Sequence, residues 1–147
     1  MTMLTKLKYI GTSKEHLLDI YSLYIRSILE YCSVVWHSTL TVQQSDDIEN
    51  VQKLCLKVIL GSAYTGYDNA LQMFSLERLT VRREARCLKY GLKSLIHPVH
   101  CNQFPVNPSP SNREHFQVNW ARTESYRMSA VPYIQGMLND YVKSQKK

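Results

Sequence analysis

The sequence predicts an all-α fold, an antiparallel bundle of about four to five helices with a proline-rich loop before a short C-terminal helix. Three observations predict it. Apolar residues recur at three- and four-residue spacing, helix-capping signatures stand where those stripes begin, and no stretch carries a convincing strand pattern.

The first predicted helix covers residues 12–37. Thr12, Ser13, Lys14 and Glu15 fit a capping box, with Thr12 as N-cap and Glu15 reaching back. Leu17, Leu18, Tyr21, Ile25, Ile28, Leu29, Cys32, Val35 and Trp36 then form one apolar stripe, with Asp19, Ser22, Arg26 and Glu30 largely off it. A second box, Thr41 to Gln44, opens a helix that ends near Leu60, where Gly61 is a natural stop. Its stripe is Ile48, Val51, Leu54, Cys55, Val58 and Ile59. The short link from His37 to Leu40 favours antiparallel packing of the pair. Residues 61–67 read as a turn-rich break, and residues 68–74 as a short helix. A longer helix runs from Leu79 to Ile96 on a face of Ala85, Leu88, Leu92 and Leu95; Gly91 weakens it and Pro98 ends it.

After Ile96 the composition changes. Prolines at 98, 105, 108 and 110 stand among Asn and Ser, so residues 97–119 read as a loop or linker with little regular structure. Pro132 suits the first turn of a last helix over residues 131–142. The expected organisation is a helical bundle over residues 1–96, the loop over 97–119 and a short helical segment over 120–147.

The 147 residues carry 18 basic and 12 acidic side chains, a net charge of +6. Residues 1–60 hold six of each sign, so all the excess falls after Gly61. A basic half suits a polyanionic partner. No apolar run is long enough for a membrane helix, and the first ten residues are too polar for a secretory signal. The expectation is an intracellular protein of nucleus or cytoplasm, with no membrane partner and no small-molecule substrate. The cysteines at 32, 55, 87 and 101 then remain thiols.

A series of short matches runs along nearly the whole chain. Leu17-Leu18-Asp19-Ile20-Tyr21, Tyr24 to Ser33 and Val35-Trp36-His37 form the first block. Leu40-Thr41, Gln44-Ser45-Asp46, Ile48-Glu49, Val51-Gln52-Lys53 and Ile59-Leu60-Gly61 follow. Arg82-Arg83-Glu84, Cys87-Leu88-Lys89, His97-Pro98, Phe104-Pro105, Arg122-Thr123-Glu124 and Pro132-Tyr133 complete it. In this order they resemble the segment after the catalytic palm in jockey-like non-LTR retrotransposon reverse transcriptases, where the chain builds the helical thumb. Val34 departs from the family, which has proline before Val-Trp, and so permits helix to continue.

The resemblance implies a non-catalytic, thumb-side fragment of an RNA-directed DNA polymerase that positions template–primer. Its partners would be an RNA·DNA hybrid or other nucleic acid, and the palm domain. The resemblance puts catalytic Mg²⁺ in that palm, with an aromatic-Ala-Asp-Asp turn that this chain lacks, so no activity is expected from it alone and no cofactor in it. Asp46-Asp47 is the one Asp pair, and neighbours on a helix point about 100° apart. A helical protein-interaction module and a degenerate retrotransposon remnant are the alternatives.

Arg78, Arg82, Arg86, Lys89 and Lys93, at spacings of 4, 4, 3 and 4, fall on one helical stripe with Arg83 beside it. Such a row can follow a phosphate backbone without reading sequence. Arg26, Lys53 and Lys57 are the further nucleic-acid candidates. Tyr21, Tyr24, Tyr31 and Trp36 could stack on bases but sit on or beside an apolar stripe, which favours core packing. His97, His100 and Cys101, with His115, could ligate zinc, though paired cysteine spacing is missing.

Overall fold

A computed structural model describes residues 3–108 and 115–145. The fold is all-α. In chain order the helices are α1 (Met3–Tyr9), α2 (Lys14–Ile20), α3 (Arg26–Leu29), α4 (Ser33–Trp36), α5 (Val42–Leu60), α6 (Tyr67–Met73), α7 (Leu79–Ile96), α8 (Glu124–Arg127) and α9 (Ala130–Gln145). Among the described residues the sole β pairing is an isolated antiparallel bridge between Val106 and Phe116. Among them also, no helix is long and apolar enough to cross a membrane.

The chain divides into two compact units. The first comprises residues 1–31 and 41–82, the second residues 32–40 and 83–147.

The first unit is built on α5, whose ends follow from local chemistry. Thr41 Oγ1 accepts from the Gln44 N–H at 3.2 Å while Gln44 Oε1 accepts from the Thr41 N–H at 2.9 Å, the reciprocal box expected there. Gly61, at φ +59°, ends the helix in a conformation that side chains disfavour. Against it pack Leu4 of α1, Leu17 of α2, Tyr21, and Ala70 and Leu71 of α6, with Leu56, Ile59 and Leu60 from α5 itself. Lys8 of α1 donates to the Val58 carbonyl at 2.5 Å. The sequence pattern predicts no helix where α1 stands.

The helix expected over residues 12–37 is broken. Its N-cap is Ser13, whose hydroxyl accepts from the His16 N–H at 3.3 Å, one residue later than Thr12. A π-helical turn occupies Tyr21–Ile25, where the Arg26 N–H reaches the Tyr21 carbonyl. The helix stops after Leu29, and Cys32 takes a left-handed φ of +49°. The stop coincides with a tertiary demand: Glu30 is buried and its carboxylate meets Arg82 at 2.5 Å. The apolar stripe is redistributed accordingly. Tyr21 is buried, whereas Tyr24, Ile28, Tyr31 and Val35 are exposed and Cys32 lies at the surface. Likewise α5 turns Glu49 and Gln52 inward and leaves Leu54 exposed, opposite to the expectation from its apolar residues.

In the second unit, Cys87 of α7, Phe104, Phe116, and Ile134 and Leu138 of α9 form the core. Helix α7 has the expected bounds, and its buried face runs through Arg83, Cys87, Gly91 and Ser94, flanked by half-buried Leu88, Leu92 and Leu95, while Ala85 is exposed. Helix α9 extends beyond the expected 131–142 at both ends and keeps Pro132 in its first turn. The proline-rich stretch is more than a linker where it is described: it carries a 3₁₀ turn at Cys101–Gln103 and supplies Phe104 and Phe116 to the core. Two buried amides of α9 satisfy its backbone. Asn139 accepts from the Phe116 N–H at 2.7 Å and donates to its carbonyl at 3.0 Å. Gln135 accepts from the Asn119 N–H at 2.9 Å and donates to the Gln103 carbonyl at 2.7 Å. Residues 109–114 of that stretch lie outside the described residues.

Candidate nucleic-acid interface

The six cations of residues 78–93 have different surroundings. In the first unit, Arg78 precedes α7; it pairs with Asp68 at 2.6 Å and lies 5.5 Å from the Tyr67 ring centroid, at the surface. Arg82 is half-buried. Its Nε donates to Glu30 at 2.5 Å and its Nη2 to the second oxygen at 3.3 Å, a two-point clasp on a carboxylate that is itself 1% exposed. That pairing, more than any other contact, holds the guanidinium in its charged form.

In the second unit, Arg83 is 0% exposed. Its guanidinium lies 5.9 Å from the Trp36 ring centroid and its Nε donates to His37 Nδ1 at 3.4 Å. The Arg83 hydrogen bond makes Nδ1 the acceptor, so His37 carries its proton on Nε2, which faces the Tyr133 hydroxyl at 3.3 Å. Burial first, then the charge of Arg83, pushes the His37 pKa down. Arg86, Lys89 and Lys93 are exposed on α7. Their spacing places them within about 60° of one another around the helix. The buried face of Cys87, Gly91 and Ser94 lies elsewhere on the wheel, which is why this arc stays polar.

The other candidates belong to the first unit. Arg26 is half-buried, Lys57 is exposed, and Lys53 is half-buried with its ammonium 3.2 Å from Asn50 Oδ1 and 5.4 Å from the Tyr67 ring centroid. Asp46 and Asp47 lie on the solvated side of α5, where Asp47 accepts from Gln43 at 2.9 Å. Among the described residues no three His, Cys, Asp or Glu side chains are grouped to hold a metal ion. His97 and His100 do meet, ring to ring, while the Cys101 thiol turns to the Pro98 carbonyl at 3.5 Å.

One polar cluster had no sequence signal. Glu49, buried on α5, accepts from the Leu79 and Thr80 N–H groups at 3.2 Å each and so caps α7 from another helix. Tyr67 donates its hydroxyl proton to the same carboxylate and accepts from Gln52, whose Oε1 in turn accepts from Tyr21 at 2.5 Å. Burial pushes the pKa of both tyrosines upward, and for Tyr67 the bond to Glu49 adds to it. This relay of donors and acceptors runs from Tyr21 through Gln52 and Tyr67 to Glu49 and ends on the Leu79 and Thr80 amides, where α7 begins.

Comparison of the chain with models of protein families, with curated proteins and with solved structures finds no match in any of the three.

Proposed function

We propose that this chain is the thumb-side, non-catalytic part of an RNA-directed DNA polymerase of the non-LTR retrotransposon kind, and that it holds template–primer nucleic acid by its phosphates. In this reading the helices correspond to an antiparallel bundle of about four to five with a proline-rich loop before the last. The protein works inside the cell with a palm domain, and Mg²⁺ belongs to that palm.

The observation that carries the reading is the exposed row Arg86, Lys89 and Lys93 on α7. The row spans about 10 Å along the helix, enough for two or three successive phosphates of one strand. Arg82 and Arg83 are each engaged within their own unit, the first clasping Glu30 and the second packed on Trp36.

Fluorescence anisotropy of a labelled RNA·DNA hybrid, titrated with the full chain at low and moderate salt, tests this. Salt-steep binding is expected, because each neutralised phosphate releases a counterion. Reversal of Arg86, Lys89 and Lys93 to Glu should abolish most of it and lower the salt slope by about two to three. A folded, monomeric chain that binds no hybrid at low salt refutes the reading.

A helical protein-interaction module is the second reading, and one observation favours it. The first unit exposes Leu23, Tyr24, Ile28, Tyr31 and Leu54, and an apolar cavity of about 210 Å³ opens between Met3, Ile25, Val51 and Leu54. Binding to hybrid that survives the triple reversal, or none at all, moves the assignment there.

A further inference from the structure

The cation row of α7 has an aromatic margin. The rings of His97 and His100 lie 4.4 Å apart with their planes 32° from parallel, and those of Tyr90 and His100 lie 6.5 Å apart at 49°. Tyr90 is 37% exposed and His97 lies at the surface, so ring surface is open to solvent here. At 100° per residue, Tyr90 falls beside Arg86 on the wheel, and the whole set from Lys89 to Tyr90 fits within an arc of about 100°. His97 continues the same line just past Ile96, the last residue of α7. His100 Nδ1 makes no hydrogen bond among the described residues, so ring contact, not hydrogen bonding through that atom, positions this side chain.

A solvated helical face requires charge but not rings alongside it. A duplex keeps its base faces stacked inside and presents phosphates and groove edges. Away from duplex ends, unpaired nucleotides are the ones that offer ring faces to a protein, and the proteins that hold them combine a basic track with aromatic side chains. Both halves of that combination are present on one end of α7.

We propose that Tyr90, His97 and His100 form a stacking platform for unpaired bases of a single-stranded nucleic acid whose phosphates follow Arg86, Lys89 and Lys93. This rests on the nucleic-acid reading above and narrows it to a strand class. Stacking accepts every base, so the platform selects unpaired over paired nucleotides and not one sequence over another.

The test uses the full chain with two probes at one salt concentration: a short RNA strand containing 2-aminopurine, and a blunt RNA·DNA hybrid of the same length. The strand should bind, with aminopurine fluorescence quenched by stacking. His97→Ala and Tyr90→Leu should each weaken strand binding about tenfold and leave the hybrid unaffected, while Tyr90→Phe keeps the ring and the affinity. His97 is exposed, and the melting temperature of its variant should match the parent's. Strand binding that neither variant changes, with no quenching, overturns the platform and leaves the phosphate row standing. Binding of hybrid without strand does the same. Failure of the folded chain to bind either probe overturns both proposals.

Discussion

Glu49→Ala should remove a large share of the stability of the first unit, although it deletes no apolar core residue. The carboxylate accepts from the Leu79 N–H, the Thr80 N–H and the Tyr67 hydroxyl, and Thr80 Oγ1 approaches it at 3.4 Å. Alanine removes the acceptor of the Leu79 and Thr80 amides and of the Tyr67 hydroxyl. Leu79 is 0% exposed, so water cannot reach its amide as a substitute. An orphaned buried donor costs about 1–3 kcal/mol. Thr80 and Tyr67 are half-buried and regain part of their hydration, at about 1 kcal/mol each. Release of the buried carboxylate from its own desolvation offsets some of this. The net expectation is a loss of about 3 kcal/mol, roughly a hundredfold in the folding equilibrium. Glu49→Gln keeps one acceptor oxygen but turns an NH₂ toward donors, and should lose about half as much. Urea unfolding followed by circular dichroism measures the loss. Hydrogen exchange locates it: the Leu79 and Thr80 amides should lose protection first, before those of mid-α5. A cost under about 1 kcal/mol with both amides still protected would show that Glu49 does not cap α7, and the reasoning would fail.

Two further outcomes are expected in the second unit. Gly91→Ala would gain about 1 kcal/mol of helix propensity, yet its new Cβ would stand 2.6 Å from Ile134 Cγ2 and 3.3 Å from both Leu138 methyls, so that two buried core side chains must shift. The melting temperature should therefore fall, and a rise would refute the close approach of α7 to α9. His37 has its pKa lowered below 6.5 on folding, so the unfolded chain binds the proton more readily. The stability it contributes is complete above pH 6.5 and is lost as pH falls from there toward the folded value. His37→Gln should flatten the dependence of melting temperature on pH below neutrality, and an unchanged slope would mean that this imidazole is not held neutral.

The parts of the fold that were legible in the sequence are those decided by local chemistry. The reciprocal Thr41–Gln44 box and Gly61 delimit α5, and Pro98 follows the end of α7 closely enough to mark it. The break after Leu29 was not legible because its cause lies far along the chain: Glu30 turns inward to meet Arg82, and a cysteine, rather than glycine, takes the left-handed backbone. The face that α5 buries was misread for a similar reason. Glu49 and Gln52 look like surface residues until the donors of α7, Tyr67 and Tyr21 are placed around them. At the candidate interface the spacing of the cations was readable. Which of them are buried and which exposed was not, since Trp36, His37 and Glu30 are distant in sequence from the arginines they hold. The contact of Tyr90 with His100 was equally hidden, because it depends on how the chain turns back after Pro98.

The division of the chain into units that each draw on two separate stretches has a consequence for biosynthesis. Residues 32–40 belong to a unit whose other members begin at residue 83. A ribosome adding residues one after another releases α4 long before Cys87, Phe104, Ile134 or Leu138 exists to receive it. The first unit, by contrast, has all its residues once Arg82 has emerged. Order of synthesis therefore favours closure of the first unit before the second, whose residues 32–40 wait for the stretch that begins at residue 83.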